Sequence, residues 1–97
     1  MTSKQRAFLR KMATKIDSVV SIGKNGVTPE VVESCNEAIE ARELIKCTVL
    51  DNCFDEVRDV AHTCGERTRS EVVQVIGRKF ILYRPKKDKP IIELPKK

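Results

Sequence analysis

The hydrophobic pattern changes period repeatedly along the chain, and this alternation constrains the fold more than any single motif. Residues 3–16 carry an apolar stripe at helical spacing, whereas Ser18–Ile22 is a short β-branched run that predicts a buried strand. Similar changes recur further along, giving the order α-β-α-β-α-β-β. Alternating helices and strands imply a layered α/β arrangement with right-handed crossovers. The sequence therefore predicts a single compact α/β domain over residues 1–97, with a four-stranded mixed sheet.

Two helices are predicted in the first half by their caps and apolar stripes. Ser3 is expected to cap the first helix, whose outer face is basic. Thr28 followed by Pro29 predicts the N-cap and first turn of the second helix, whose outer face is acidic. The inward positions are Phe8, Leu9, Met12, Ala13 and Ile16 in the first helix, and Val31, Cys35, Ala38 and Ile39 in the second.

The second half contains a strand, a helix and a hairpin. Alternation from Glu43 predicts a strand that Asp51-Asn52 ends, and a third helix follows from about Cys53 to Cys64, with Gly65 as its C-terminal stop. Residues 71–76 and 79–84 predict two strands joined at Gly77-Arg78 as a hairpin. Pro85 begins an extended basic tail over residues 85–97. The inward positions are Ile45, Cys47 and Val49 in the strand, and Phe54, Val57, Val60, Ala61 and Cys64 in the helix.

The charges are segregated along the chain. Residues 1–29 hold six basic groups and one acidic group, residues 30–71 hold five and eleven, and residues 72–97 hold eight and two. If the fold brings the two basic ends together, they form one positive face opposite a negative one, which suits a polyanion. The alternative is two unrelated solvated charge runs. The formal net charge of +5 favours an anionic partner, with RNA, DNA and an acidic membrane all open.

The four cysteines are typical of packing residues. They include no CxxC pair, and His62 is the one histidine of the chain. Cys35, Cys47 and Cys64 fall where a small apolar residue would serve, so we expect buried free thiols in a reducing compartment. Cys53, at a predicted helix start, is the one most able to form a reactive thiolate. We expect no metal site and no cofactor.

A glycine-bounded turn, Gly23-Lys24-Asn25-Gly26, lies between a predicted strand and a predicted helix. Its glycines let the backbone approach a ligand closely and adopt positive φ, and the helix start presents unpaired N–H groups. A phosphate fits such a turn. The spacing is neither GxGxxG nor GxxxxGK[ST], so the nucleotide sites with those signatures are not predicted. By itself, a GxxG turn is also common as a plain strand-to-helix connection.

Together with three further segments, this turn resembles the CRM domain, named for chloroplast RNA splicing and ribosome maturation. The resemblance covers nearly the whole chain and is to the stand-alone bacterial, YhbY-type RNA-binding proteins. It implies a fold similar to the C-terminal domain of bacterial translation initiation factor three, a loop comparable to that of KH domains, and association with precursor large ribosomal subunits. With a single copy here, the intron-splicing role of multi-copy plant relatives is not carried over. The segments are Val19–Thr28, Glu43–Lys46, Val75–Arg78 and Leu82–Pro85.

The resemblance places the family's loop on residues 23–26 and its hairpin on residues 77–84. Only one basic residue lies within the loop, so Lys24 must act with charges from elsewhere. The RNA-binding residues predicted in this way are Gly23, Lys24, Asn25, Gly26, Lys11, Lys15, Arg78, Lys79, Arg84, Lys86 and Lys87. For each lysine outside the loop, a solvated surface charge is the alternative.

Aromatic residues, the usual platforms for unpaired bases, are scarce. Phe8, Phe54 and Phe80 lie on apolar stripes and are predicted to be core residues, whereas Tyr83 falls on the opposite strand face and is predicted to be exposed. We therefore expect recognition by backbone charge and RNA shape more than by base identity.

The function predicted from these residues and the resemblance is non-enzymatic RNA binding, as an assembly factor that binds rRNA in precursor large (50S) ribosomal subunits. The alternatives are a general RNA chaperone not tied to the ribosome, and a protein-interaction module that uses the acidic helices. An enzyme is disfavoured because the sequence shows no Ser/His/Asp or Cys/His arrangement that could supply a general base. Without a signal-peptide stretch or an apolar run near the ~20 residues that cross a bilayer, we expect a cytoplasmic protein with no membrane partner. We also expect a monomer with no small-molecule substrate.

Overall fold

Three helices and four strands alternate along the chain in the predicted order. The computed structural model describes residues 1–96; Lys97, the last residue of the predicted tail, lies outside them. The elements are α1 (Ser3–Ala13), β1 (Ser18–Ile22), α2 (Pro29–Arg42), β2 (Leu44–Val49), α3 (Val57–Arg67), β3 (Glu71–Ile76) and β4 (Lys79–Tyr83).

The strands form one mixed sheet in the order β1-β2-β4-β3. β1 and β2 are parallel and are connected by α2, whereas β4 is antiparallel to both β2 and β3. The predicted α/β class and the antiparallel hairpin are therefore confirmed. This topology places the start of β4 beside the ends of β1 and β2, and the end of β4 beside the start of β2.

Helices cover both faces of the sheet and enclose two apolar cores. α2 and α3 pack on one face, where Ile45, Cys47 and Phe80 are fully buried. α1 packs on the other face, where Leu9 contacts a cluster that includes Ile81. The alternation predicted for β2 is confirmed, because Ile45, Cys47 and Val49 face one core and Leu44 faces the other.

Of the two predicted helix caps, Thr28 is confirmed and Ser3 is wrong. The Thr28 hydroxyl accepts a hydrogen bond from the Val31 N–H at 3.2 Å, as expected for the N-cap of α2. Thr2, and not Ser3, caps α1: its hydroxyl accepts from the Gln5 N–H at 3.1 Å, and the Gln5 side chain accepts from the Thr2 N–H at 3.0 Å. Only Thr2 has glutamine three residues later, which completes this reciprocal capping box.

The third helix begins later than predicted and does not end at Gly65. Residues 53–56 are not helical and connect a turn at residues 50–53 to α3. Cys53 is buried there, and Phe54 points into solvent with 93% of its surface exposed. Residues 54, 57 and 61 have the apolar spacing of a helix. The Cys53 N–H, however, bonds to the Leu50 carbonyl and the Cys53 carbonyl accepts from Arg78, so the helix does not start here. Gly65 lies inside α3, where a Cβ would come within 3.0 Å of Val72, so its smallness serves close packing against β3.

Two further aromatic predictions are wrong, in opposite directions. Tyr83 does lie on the opposite face of β4 from Phe80, but α1 covers that face, so Tyr83 is 4% exposed rather than accessible. Burial, followed by the nearby Glu43 charge, raises the pKa of its hydroxyl. Phe8 is 38% exposed at the margin of α1 rather than in the core.

The C-terminal segment is held against the body of the protein by one buried carboxylate. Glu43, at a positive φ of 66°, is fully buried between α2 and β2. Its carboxylate accepts hydrogen bonds from the backbone N–H groups of Lys86, Ile91 and Ile92 at 2.6, 2.8 and 2.8 Å. Ile92 then packs in the α1-side core. The tail is therefore extended but docked, and its Ile92 end lies on the same side of the sheet as α1.

Three of the cysteine thiols meet in the core between α2, α3 and the sheet. Cys35, Cys47 and Cys64 are buried free thiols, as predicted, and Cys53 is buried as well instead of standing at a helix start. A hydrogen bond to Cys35, together with burial, raises the pKa values of Cys47 and Cys64. Within residues 1–96, no three Cys, His, Asp or Glu side chains are grouped as metal ligands.

Replacing these thiols tests their role in packing. Cys35→Ala, Cys47→Ala and Cys64→Ala are each expected to lower the free energy of unfolding by about 1 kcal/mol, because each leaves a small cavity. Urea unfolding followed by circular dichroism measures the change. Stoichiometric zinc in the purified wild-type protein, lost in the variants, would contradict the packing role.

Candidate nucleic-acid interface

The GxxG turn projects from one end of the sheet, directly after β1. The Gly26 N–H donates to the Gly23 carbonyl at 3.0 Å, which closes a tight turn with Lys24 and Asn25 exposed at its tip. Gly26 has a φ of +67°, whereas Gly23 does not need positive φ. In the part of the chain that the structure describes, the backbone N–H groups of Lys24 and Asn25 have no hydrogen-bond acceptor. They can therefore donate to an anion.

The start of α2 contributes less to this site than predicted. The Thr28 hydroxyl takes the Val31 N–H, the Val32 N–H bonds to the Thr28 carbonyl, and Pro29 has no N–H. The free N–H at this end belongs to Glu30, whose own carboxylate repels a phosphate. The donors for an anion thus lie in the turn itself rather than at the helix end.

A second segment, the 50–55 turn (residues 50–55), lies alongside the loop. Asn52 is 3.6 Å from the position that a Cβ would occupy on Gly23, and a carboxylate oxygen of Asp55 is 2.8 Å from the corresponding position on Gly26. Leu50 is 3.9 Å from the Gly23 position. The absence of side chains at both glycines therefore lets the two turns pack together, so the loop site includes residues that sequence reasoning did not assign to it.

Arg78 stabilises this pair of turns from the β3–β4 hairpin. Its guanidinium donates to the backbone carbonyls of Val49, Leu50 and Cys53 at 3.1, 2.5 and 3.2 Å. Its charge is thus engaged in holding the 50–55 turn. Lys79, the next residue, is exposed at the same end of the sheet and has no acidic partner within 4 Å in residues 1–96. Lys24, Arg78 and Lys79 therefore all lie at the same end of the sheet.

Arg84, Lys86 and Lys87, in contrast, lie at the opposite end of the sheet. Arg84 follows Arg78 by six residue steps of extended strand, or about 20 Å. The Arg84 guanidinium donates to the Asn36 side chain at 2.9 Å and forms an ion pair with Glu40 at 2.7 Å. Arg84 therefore joins the end of β4 to α2. Lys86 and Lys87 line an open groove there, together with Arg69 and Lys89.

Lys11 and Lys15 also lie away from the loop. Both are exposed near the end of α1, and the length of β1 separates them from the loop. α1 and the Ile92 end of the docked tail share one side of the sheet, whereas α2 and α3, which carry six of the fourteen acidic residues, cover the other. Lys86, Lys87 and Lys89, however, line a groove with Ile39 and Glu40 of α2, so a single positive face made by both basic ends of the chain stays a prediction.

The chain matches the family model of the CRS1/YhbY (CRM) domain over residues 1–84. It belongs to this family. It is 42% identical to a Bacillus subtilis protein named as the probable RNA-binding protein YqeI, over 98% of this chain and 99% of that one. A Haemophilus influenzae protein named as an RNA-binding protein is 32% identical, over 100% of this chain and 97% of that one.

A solved structure of a family relative confirms the architecture. The solution structure of SAV1595 from Staphylococcus aureus, described there as a hypothetical protein and a candidate RNA-binding protein, superposes with a TM-score of 0.82 at 44% sequence identity. The superposition covers 98% of this chain and 99% of the SAV1595 chain. Similarity to translation initiation factor three stays a prediction. None of the helices in residues 1–96 combines the length and apolarity of a bilayer-spanning segment.

Proposed function

We propose that this CRM-family protein binds RNA through its GxxG loop and acts as an assembly factor on rRNA of precursor large ribosomal subunits. The observation that carries the RNA-binding part is the exposed turn with two free N–H donors and Lys24 at its tip. The names of the relatives as RNA-binding proteins support it. The ribosomal part rests on the family resemblance.

We infer different roles for the basic residues that the sequence suggested. Lys24 and Lys79 contact phosphate at the loop end, while Arg78 and Arg84 mainly hold the fold through their carbonyl and carboxylate contacts. Lys11, Lys15, Lys86 and Lys87 act over a longer distance, by adding to the positive potential that attracts a polyanion. The protein acts by binding, without a catalytic step.

The contacts with phosphate make RNA affinity dependent on salt. We expect the logarithm of the association constant for a single-stranded RNA to fall linearly with the logarithm of salt concentration, by about 0.7 for each phosphate neutralised. Fluorescence anisotropy of a labelled oligonucleotide at several salt concentrations measures the slope. A flat response would contradict a phosphate-based interface.

Sedimentation tests the ribosomal part directly. A tagged protein should migrate through a sucrose gradient with precursor large subunits and should be released by high salt. Co-sedimentation with other RNAs alone would favour the general RNA chaperone. Protein partners retained after nuclease treatment would instead favour an interaction module on the acidic helices.

A further inference from the structure

Phe54 is the most exposed large apolar side chain in the described part of the molecule, and it stands beside the loop. It is 93% exposed, compared with 59% for Ile91 and 58% for Ile76. Its neighbour Asp55 is the residue that packs against Gly26. A ring exposed to this extent contributes little to the core, and its place next to the loop leaves its face free to contact a ligand bound there.

The backbone on either side of Phe54 is fixed. Cys53 is 3% exposed, its N–H donates to the Leu50 carbonyl at 3.0 Å, and its carbonyl accepts from Arg78 at 3.2 Å. On the other side, Asp55 packs against the loop. Because both flanking residues are held, the ring is presented at a defined position instead of on a free loop. Such preorganisation lowers the entropic cost of binding.

The charges around the ring decide which part of a nucleotide fits it. Asp51, Asp55 and Glu56 flank Phe54 in the sequence and repel phosphate, whereas Lys24, exposed at the tip of the loop, attracts it. A base is neutral, and its amino groups can donate to carboxylates. The phosphate of a bound nucleotide therefore belongs on the lysine side, and its base belongs on the side of the ring.

We propose that Phe54 is a stacking platform for one unpaired base of an RNA strand whose phosphate is held by residues 23–26. The inference rests on the proposed RNA binding and adds a base contact to it. It gives a role to Phe54, which the sequence predicts to be a core residue and which the structure exposes. The site then selects RNA with an unpaired nucleotide over a continuous duplex, because bases in a helix cannot reach the ring.

A single-stranded RNA oligonucleotide containing 2-aminopurine tests the contact, because stacking quenches its fluorescence. Phe54→Ala is expected to bind this probe about tenfold more weakly and to lose the quenching. Phe54→Trp should restore both, whereas Phe54→Leu, which is apolar but cannot stack, should not. Ile91→Ala removes a different exposed apolar side chain, in the tail, and should bind as the wild type does. Circular dichroism checks that each variant folds.

Other outcomes separate this inference from the proposed function. If Phe54→Ala binds the probe normally while Lys24→Gln weakens binding, the stacking contact is wrong and the loop interface stands. Absence of RNA binding by the wild-type protein would contradict the proposed function itself. If Phe54→Ala abolishes self-association in analytical ultracentrifugation and leaves RNA binding unchanged, the ring serves a protein contact and the inference is overturned.

Discussion

Glu43→Gln is expected to lower the free energy of unfolding at pH 7 by about 2 kcal/mol and to release the C-terminal segment. The carboxylate accepts three backbone hydrogen bonds in a fully buried position. An amide has only one oxygen and would turn its NH₂ group towards backbone donors. Urea unfolding measures the stability, and hydrogen exchange at the amides of Ile91 and Ile92 measures the release.

The same carboxylate gives stability a pH dependence of known sign. Burial by itself raises the pKa of Glu43, but the N–H groups of Lys86, Ile92 and Ile91 and the charge of Lys86 outweigh it and lower the pKa below 4.5. A carboxyl group whose pKa is lower in the folded state stabilises the fold above its ordinary pKa and loses this contribution as pH falls through the folded value. The wild type should therefore lose stability below about pH 4.5, and Glu43→Gln should lack this part of the loss.

Glu37→Gln is the matched control, because Glu37 is exposed on α2 and forms no ion pair within residues 1–96. Glu37→Gln should change the free energy of unfolding by no more than about 0.5 kcal/mol. It should leave hydrogen exchange at the amides of Ile91 and Ile92 as in the wild type. Equal acid sensitivity of the wild type and Glu43→Gln would contradict the account of the buried carboxylate.

The sequence predicted the order and type of every element because hydrophobic period reports which side of each element is buried. β1, β3 and the Thr28 cap were predicted at their observed positions. The start of α3 was not, because Phe54 falls at helical spacing while the turn is maintained by Arg78, which is distant in sequence. The hydrophobic period within a segment carries no information on hydrogen bonds from residues that are distant in the sequence.

The candidate site was predicted in part for a similar reason. The resemblance identified the loop, but the sequence cannot show that Arg78 and Arg84 lie at opposite ends of β4 and that Arg84 already contacts Glu40. Glu43 and Phe54 were missed as site or anchoring residues because their roles depend on burial and exposure. One signal could have suggested an exposed ring: Phe54 lies between acidic residues, with Asp51 before it and Asp55 and Glu56 after it.

Gly26→Val is expected to weaken RNA binding at least tenfold without changing any charge. A β-branched residue is strained at a φ of +67°, and its Cβ would lie 2.8 Å from the carboxylate oxygen of Asp55. Either the turn or its contact with the 50–55 turn must shift, and the N–H donors of Lys24 and Asn25 then move. Lys24→Gln should be milder, with a smaller salt slope, because it removes one phosphate contact and keeps the turn.

The most direct test of the loop interface compares Gly26→Val with Arg84→Ala and Lys86→Ala in one RNA-binding titration, using variants whose circular dichroism spectra are native. The account predicts that the uncharged change at the loop lowers affinity at least tenfold. Arg84→Ala should mainly lower stability, since its ion pair with Glu40 is lost, and Lys86→Ala should lower affinity only slightly. Normal binding by Gly26→Val, with binding abolished in Arg84→Ala and Lys86→Ala, would contradict the account and place the RNA site at the other end of the sheet.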